Sequence, residues 1–191
     1  MTPNQIKQVS LIPKIKYCCE CGSPMKEAVP KGDNMTRSVC PQCGFIHYVN
    51  PKVIVGVLPY YEDRVLLCQR AIEPGYKKWT LPSGFLEIGE SVQAGAQREA
   101  KEEAGIHCEP QDLYVLYNIP HIGQVYMLFL CKMTSQEIEI GPETLAAEWV
   151  PYDQIDPAIL AFSSIRFTLS HFESDFKDGH FPIRYGAYTP K

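Results

Sequence analysis

The 191-residue sequence has neither a long hydrophobic run nor an excess of basic residues. No apolar stretch approaches the ~20 residues that a helix needs to cross a bilayer, so no membrane span is predicted. The first 17 residues lack the continuous apolar core of a secretory signal, so we expect a cytoplasmic protein, with an organellar location left open. Lys and Arg number 18 against 22 Asp and Glu, and this net charge of −4 argues against a general polycationic surface for nucleic acid.

What the sequence does contain is enough apolar material for a core. Hydrophobic residues make up 45% and charged residues 21%, which is typical of a soluble globular protein. A chain of this length predicts one main domain and a small appendage.

Four of the eight cysteines form two Cys-x-x-Cys pairs, Cys18 with Cys21 and Cys40 with Cys43, and glycine follows each pair. Two such pairs at this separation are typical of a four-thiolate zinc site. A disulfide framework is disfavoured without an export signal, and a redox motif would need a surrounding βαβ pattern. We predict a zinc ribbon over residues 14–48, in which the metal replaces a hydrophobic core.

The remaining cysteines are given no ligand role. Cys19 is interpreted as a bystander, and Cys68, Cys108 and Cys131 as small core residues within apolar strand-like runs. Residues 1–13 are predicted to be a loose tail.

Residues 84–106 hold an unusual density of carboxylates. Ser91 is a candidate helix N-cap and Gly105 a candidate C-terminal left-handed residue, with a strong helix-forming run between them. On that helix Glu99, Glu102 and Glu103 share one face, since they stand at i, i+3 and i+4. The crowding is explained if a hard divalent cation such as Mg²⁺ or Mn²⁺ collects the charge. The alternative is an ordinary solvated acidic face.

The rest of the pattern predicts an α/β protein. Asn50-Pro51 marks a linker, and Ser163 and Ser164 are candidate caps for a final helix. Strands and one further helix are expected at 53–57, 65–68, 79–82, 113–119, 124–133, 148–155 (strand then turn) and 162–176 (helix). Mixed strands with a helix inside and another at the end suggest an α/β/α sandwich with a mixed sheet. Residues 50–176 form the main domain, and residues 177–191 are assigned to a C-terminal tail.

The acidic stretch resembles the complete Nudix box. The family pattern is G, five residues, E, seven residues, then R-E-U-x-E-E-x-G-U, where U is apolar. Here Gly84 and Glu90 precede the run Arg98-Glu99-Ala100-Lys101-Glu102-Glu103-Ala104-Gly105-Ile106, so each fixed position is filled. Such spacing is far more specific than a lone glycine motif. The resemblance agrees with the sandwich suggested by the strand pattern.

The resemblance also implies roles for individual residues. Members hydrolyse a nucleoside diphosphate linked to another group, by attack of water on phosphorus. It implies that Glu99, Glu102 and Glu103 bind the catalytic metal, together with the backbone carbonyl of Ser83. Glu90 would orient Arg98, and Arg98 would hold the loop to the helix, with Gly84 and Gly105 structural.

The general base has several candidates. Family members often take it, or a further metal ligand, from a glutamate on a later loop, and Glu143 and Glu148 both qualify. Glu143 is preferred because it stands six residues before Trp149, as the corresponding glutamate does in members similar to NADH pyrophosphatases. Glu102 or Glu103 acting as the base is the alternative.

A four-cysteine ribbon before a Nudix domain resembles two groups. NADH pyrophosphatases carry an SQPWPFPxS signature after the box, which this sequence lacks. The segments 12–18, 50–58, 65–70, 79–91, 118–130, 160–172 and 184–186 instead resemble plastid-type enzymes that split FAD and ADP-ribose. This implies a dinucleotide substrate giving AMP plus FMN or ribose 5-phosphate. Aromatic candidates for the substrate pocket are Tyr117, Tyr126, Phe162 and Tyr185, although core packing is the commoner fate of a strand aromatic.

Other functions stay open at this stage. NAD(H) pyrophosphatase activity and decapping of cofactor-capped RNA are alternatives within the same chemistry. A nucleic-acid-binding regulator with a repurposed Nudix domain is an alternative of another class, and the intact carboxylate set and acidic balance argue against it. Related members with a ribbon are dimeric, so a homodimer is expected.

Overall fold

The computed structural model describes residues 15–189, so the predicted tail at 1–13 lies outside the described residues. The chain divides into two compact units whose main boundary falls between Pro51 and Lys52. Within residues 15–189, no helix is both long and apolar enough to cross a membrane.

The first unit is a small antiparallel sheet beside the cysteine pairs. Its strands are β1 (Lys26–Ala28), β2 (Arg37–Val39) and β3 (Ile46–His47), in the order β1-β2-β3. Each cysteine pair closes in a tight turn, because Gly22 donates to the carbonyl of Cys18 (2.9 Å) and Gly44 to that of Cys40 (3.0 Å). Both glycines have positive φ, 71° and 78°, which a side chain would disfavour.

The second unit is built on one mixed sheet. Its strands and helices are β4 (Lys52–Tyr61), β5 (Arg64–Arg70), β6 (Trp79–Thr80), β7 (Ser83–Phe85), α1 (Val92–Ala104), β8 (Leu113–Ile119), β9 (Gln124–Lys132), β10 (Thr144–Pro151), α2 (Ser163–Asp178) and β11 (Arg184–Ala187). The order is β10-β5-β4-β9-β8-β11, with β6 on β5 and β7 on β4. β4 pairs with β9, and β8 with β11, in parallel; the other pairs are antiparallel. The predicted mixed α/β fold is confirmed.

Helix α1 packs on the sheet through a row of alanines. Ala96, Ala100 and Ala104 are fully buried at helical spacing, so the helix approaches the sheet closely. They contact a core that includes Val55, Val57, Leu66, Cys68, Phe129 and Cys131. The prediction that Cys68, Cys108 and Cys131 are buried core residues is confirmed, since each is at most 4% exposed.

Helix α2 brings an aromatic cluster together. Phe172 lies 5.6 Å from Tyr60, 5.6 Å from Phe176 and 5.9 Å from Phe181, measured between ring centres. Phe162 precedes the helix at the N-cap position with no side-chain cap, so the predicted capping by Ser163 or Ser164 is wrong. Both serines lie in the first turn, and the Ser164 side chain is directed into the interior with no exposed surface.

The assignment of residues 177–191 to a tail is also wrong for most of that segment. Helix α2 continues to Asp178, and β11 extends the sheet by pairing with β8, with Gly186 opposite Tyr117. A buried polar group fixes this arrangement. Asp175, 3% exposed, accepts hydrogen bonds from Tyr114 (2.8 Å), from Arg184 Nε (3.0 Å) and from Arg184 Nη2.

We predict that Asp175→Asn lowers the free energy of unfolding by about 3 kcal/mol at pH 7, because it breaks a buried ion pair. Burial raises the pKa of Asp175, but the bonds from Arg184 and Tyr114 outweigh it and hold the pKa below its usual range. This stabilisation is therefore complete above the unfolded value of about 3.9 and is lost as the pH falls through the folded value. Urea unfolding between pH 7 and pH 3 should show the deficit of the variant shrinking at the acid end.

Asp178→Asn is the matched control, since Asp178 is exposed at the end of the same helix. It should leave the unfolding curve unchanged. A deficit for Asp175→Asn that persists undiminished at pH 3 would contradict the assignment to the ionised carboxylate.

Candidate functional site

Helix α1 is capped at both ends as the sequence predicts. Ser91 Oγ accepts from the N–H of Ala94 (3.2 Å), and Gly105, at φ 65°, donates to the carbonyl of Lys101 (2.9 Å). This register turns Glu99 and Glu103 towards the interior, each 9% exposed, while Glu102 is exposed.

The guanidinium of Arg98 ties this helix to the loop before it. Nε and Nη2 donate to the two carboxylate oxygens of Glu90 (3.1 and 2.8 Å), and Nη2 also reaches the carbonyl of Phe85 (3.0 Å). Nη1 donates to Glu99 (2.7 Å) and Glu102 (3.1 Å). The Arg98 bonds lower the pKa of Glu90, whose Oε1 also accepts from the N–H of Glu87 (2.7 Å). These contacts join the loop that carries Glu90 to α1.

Glycines allow the backbone to approach these carboxylates. A Cβ added to Gly84 would overlap the carboxylate of Glu99. A Cβ on Gly95 would lie 2.7 Å from Glu90 Oε1 and 2.9 Å from Val55 Cγ2. Strand β7 and the loop after it can therefore lie against α1 only because these two positions carry no side chain.

Glu99 and Glu103 are held in an environment that disfavours their negative charge. Burial raises the pKa of Glu103 to about 8, and the neighbouring charges of Glu99 and Glu143 act in the same direction. Burial likewise raises the pKa of Glu99. The N–H of Ser83 donates to Glu103 Oε2 (3.3 Å), which puts the residue of the predicted carbonyl ligand beside this carboxylate. A set of crowded carboxylate oxygens fits a hard divalent cation.

The loop before β10 carries Glu143 to the same place. The N–H of Glu139 donates to the carbonyl of Ala104 (2.9 Å), and that of Gly141 to the carbonyl of Glu103 (3.3 Å). Glu143 lies two residues after Gly141, and its charge adds to the effect of burial in raising the pKa of both Glu99 and Glu103. Glu148 lies farther along β10, exposed and opposite Leu67. The structure thus brings Glu143, rather than Glu148, to the box.

The four aromatic candidates fall into different surroundings. Tyr117 is buried against Phe167, with ring centres 5.1 Å apart, and Tyr185 is 69% exposed on β11. Tyr126 is 6% exposed, and Phe162 lies under the guanidinium of Arg70, 5.0 Å from its ring centre.

Arg70 is a residue that the sequence analysis did not single out. It ends β5 opposite Thr144, beside the loop that carries Glu143. Its positive charge acts on Glu103 and on Tyr126, lowering the pKa of each against the larger effect of burial. No local motif marks this position, because the strand register of β5 and β10 creates it.

The four ribbon cysteines converge in the first unit. All four sulfurs lie within 4.8 Å of one another; Cys18 and Cys43 are 3.6 Å apart, and Cys21 and Cys40 are 3.5 Å apart. Zn–S bonds of about 2.3 Å in a tetrahedron require sulfurs about 3.8 Å apart, so the cluster fits zinc. Cys19 is exposed and outside the set. Among residues 15–189 no carboxylate group is gathered as tightly.

Comparison with known proteins agrees with both units. A family profile described as the NUDIX domain matches residues 50–170, and one described as Nudix N-terminal, a zinc ribbon, matches residues 16–49. The chain belongs to the Nudix family.

Individual relatives are similar over different spans. A Nudix hydrolase structure from Nitrosomonas europaea superposes with a TM-score of 0.88 and 40% identity, covering 92% of this chain and 100% of that one. The NAD-capped RNA hydrolase NudC of Photorhabdus laumondii is 30% identical over 73% of this chain, and YjhB of Bacillus subtilis, named as a candidate ADP-ribose pyrophosphatase, is 33% identical over 58%. The chain spans about half of these two curated relatives, 53% and 55% of their lengths.

We predict one zinc ion per chain, bound by the four cysteines. Cys40→Ser should lose most of the zinc and unfold the ribbon, because Cys40 is 1% exposed and a three-thiolate site leaves the metal partly unligated. Metal analysis of the purified protein by mass spectrometry is the measurement.

Cys19→Ser is the control and should retain full zinc content, since Cys19 lies outside the cluster. Equal loss of zinc in both variants would contradict the ligand assignment.

Proposed function

We propose that the protein hydrolyses the pyrophosphate bond of a nucleoside diphosphate derivative, with Mg²⁺ or Mn²⁺ bound at the Nudix box. The observation that carries this proposal is that the loop of Glu143 is bonded to the end of α1 that carries Glu99 and Glu103. The N–H of Gly141 donates to the carbonyl of Glu103 (3.3 Å), two residues before Glu143. Burial raises the pKa values of Glu99 and Glu103, and the negative charge of Glu143 acts in the same direction, as expected of carboxylates that bind a cation.

The metal would be held by Glu99, Glu102, Glu103 and the carbonyl of Ser83, with Glu143 as a further ligand or as the base. When bound, such an ion neutralises phosphate oxygens and polarises the attacking water. Glu90 and Arg98 hold the box loop against the helix, so the role proposed for Arg98 is structural and not substrate binding.

Glu143 is the proposed general base. Its carboxylate would accept the proton of the water that attacks phosphorus, and its exposed position supports access to solvent. Glu102 or Glu103 in that role is the alternative. Burial of Glu103 supports a ligand role, because a buried carboxylate has little access to the solvent that must take up the proton.

For the substrate we propose FAD or ADP-ribose, which water would split into AMP plus FMN or ribose 5-phosphate. The plastid-type segments named above support this choice, and the name of YjhB supports ADP-ribose. The name of NudC supports NAD(H) or cofactor-capped RNA as the alternative. A cytoplasmic homodimer in which the ribbon has a structural role stays a prediction.

A panel assay tests the reaction. FAD, ADP-ribose, NADH and an NAD-capped RNA are each incubated with Mg²⁺ or Mn²⁺, and products are identified by mass spectrometry. The proposal expects AMP with FMN or ribose 5-phosphate, formed fastest from the first two. Inactivity on all four, together with tight binding of RNA or DNA, would favour the regulator instead.

We predict that Glu103→Gln and Glu102→Gln lose most of kcat, because each removes a charge that holds metal. Glu143→Gln should lower kcat about 10²-fold or more, the contribution expected of a general base. The measurement is kcat with the best substrate of the panel, at saturating metal.

Glu148→Gln is the matched control, being an exposed glutamate on the strand that follows Glu143. It should lose little activity. Full activity of the Glu102 and Glu103 variants would contradict the metal assignment, and a large loss in Glu148→Gln would reverse the choice of base.

A glycine beside the helix end offers a test of how Glu143 is positioned. A Cβ on Gly141 would overlap the backbone carbonyl oxygen of Glu102, so Gly141→Ala must displace the loop before β10. We predict a kcat at least tenfold lower with near-normal zinc content. Gly123→Ala is the control, because nothing lies within 4 Å of a Cβ there, although its φ of 64° adds some strain. An unchanged kcat for Gly141→Ala would show that the catalytic contribution of Glu143 does not depend on the position of this loop.

A further inference from the structure

Arg70 is a cation that the described protein leaves partly unengaged. Its Nε donates to the carbonyl of Pro74 (2.8 Å), and within residues 15–189 neither Nη atom makes a hydrogen bond or an ion pair. Arg98 differs, because its Nε, Nη1 and Nη2 all donate to Glu90, Glu99, Glu102 or the carbonyl of Phe85. Of these two arginines near the box, only Arg70 has donors to offer a ligand.

The position of Arg70 is fixed by the loop that follows β5. Its N–H donates to the carbonyl of Lys78, and its carbonyl accepts from the N–H of Lys77, both at 2.9 Å. Gly75 packs against it, since a Cβ there would lie 3.6 Å from Arg70 Cδ and 3.3 Å from the Cβ of Ala161. The side chain is therefore ordered before any ligand arrives, which reduces the entropy lost on binding.

Phe162 sets the orientation of the guanidinium. The Arg70 Cζ atom lies 5.0 Å from the centre of the Phe162 ring, within the range of a cation–π contact. An arginine stacked in this way keeps its N–H groups free at the edge of the plane. That planar fork matches two oxygens of a phosphate, which a lysine does not reproduce.

Arg70 lies beside the loop that carries Glu143 and, among residues 15–189, forms no ion pair with a carboxylate of the proposed metal site. Arg70 is opposite Thr144 in the sheet, and the N–H of Ala71 donates to the carbonyl of Glu143 (2.9 Å). Its charge also acts on Glu103, yet the two side chains form no ion pair within 4.0 Å among the described residues. Because Arg70 and Glu103 do not pair, a phosphate can lie between them. One of its oxygens would then bind Arg70 and another would bind the metal.

We propose that Arg70, supported by Phe162, binds the non-bridging oxygens of one phosphate in the diphosphate of the substrate, opposite the metal held by the box. The proposal rests on the proposed function for the location of the diphosphate. It assigns Arg70 to substrate binding and Phe162 to positioning Arg70, rather than to stacking on a base or flavin.

The test uses the full-length protein and α,β-methylene-ADP, a diphosphate analogue with an uncleavable P–C–P bridge. Its Kd is measured by calorimetry in Mg²⁺ for the wild type, Arg70→Gln, Arg70→Lys and Arg64→Gln. Arg64 is the matched control, an exposed arginine at the other end of β5. We expect Arg70→Gln to weaken binding tenfold or more, Arg70→Lys to weaken it less, and Arg64→Gln to match the wild type. KM for the best panel substrate should rise in the same order.

Each failure has its own signature. A wild type that cleaves its substrate while Arg70→Gln keeps normal Kd and KM, with normal thermal stability, would overturn the role of Arg70. Loss of binding in Arg70→Lys as complete as in Arg70→Gln, with reduced melting temperature in both, would reduce Arg70 to a structural residue. A wild type that cleaves no panel substrate but binds the analogue in an Arg70-dependent way would overturn the proposed function and leave this inference intact.

Discussion

The arrangement of the site depends on the hydrogen bonds of the Arg98 guanidinium. This group bonds the end of β7 through the carbonyl of Phe85 and the following loop through Glu90. On the other side it bonds the acidic face of α1 through Glu99 and Glu102. Because all three nitrogen atoms donate within the protein, the side chain contributes rigidity rather than a contact for the substrate. Because Arg98 is fully engaged, another cation must bind the negative charge of the substrate, and the Nη atoms of Arg70 make no bond among residues 15–189.

The carboxylates at the site repel one another, and the surrounding fold holds them together. The row of alanines on α1 packs on the sheet, which places Glu99 and Glu103 at the edge of the core, each 9% exposed. Close backbone approaches at Gly84 and Gly141 then bring β7 and the loop of Glu143 against them. Without a cation, burial raises the pKa of Glu103 to about 8. A divalent ion at the proposed site would relieve this repulsion, and until then the apolar packing of α1 holds the carboxylates together.

The sequence predicted those features that depend on residues close together in the chain. The caps of α1, its bounds and the shared face of its glutamates follow from spacing along one helix, and the cysteine pairs follow from two short turns. The preference for Glu143 over Glu148 came from its distance to Trp149 and stays a prediction. The loop of Glu143 is bonded to the end of α1 through Glu139 and Gly141.

Features that depend on distant pairing were missed. Strand β11 is four residues long and pairs with β8, far away in the chain, so residues 177–191 carried no local signal for a strand. Arg70 becomes a site residue only through the register of β5 with β10 and the stacking on Phe162. The serines at the start of α2 look like caps in sequence, but helix register turns Ser164 inward.

The most direct test of this account is a crystal structure of the protein soaked in Mn²⁺, with anomalous scattering recorded at the manganese edge. We expect a manganese peak within coordination distance, about 2.2 Å, of carboxylate oxygens of both Glu99 and Glu103, with Arg98 still bound to Glu90. A catalytically active crystal form in which manganese is bound away from these two glutamates would contradict it.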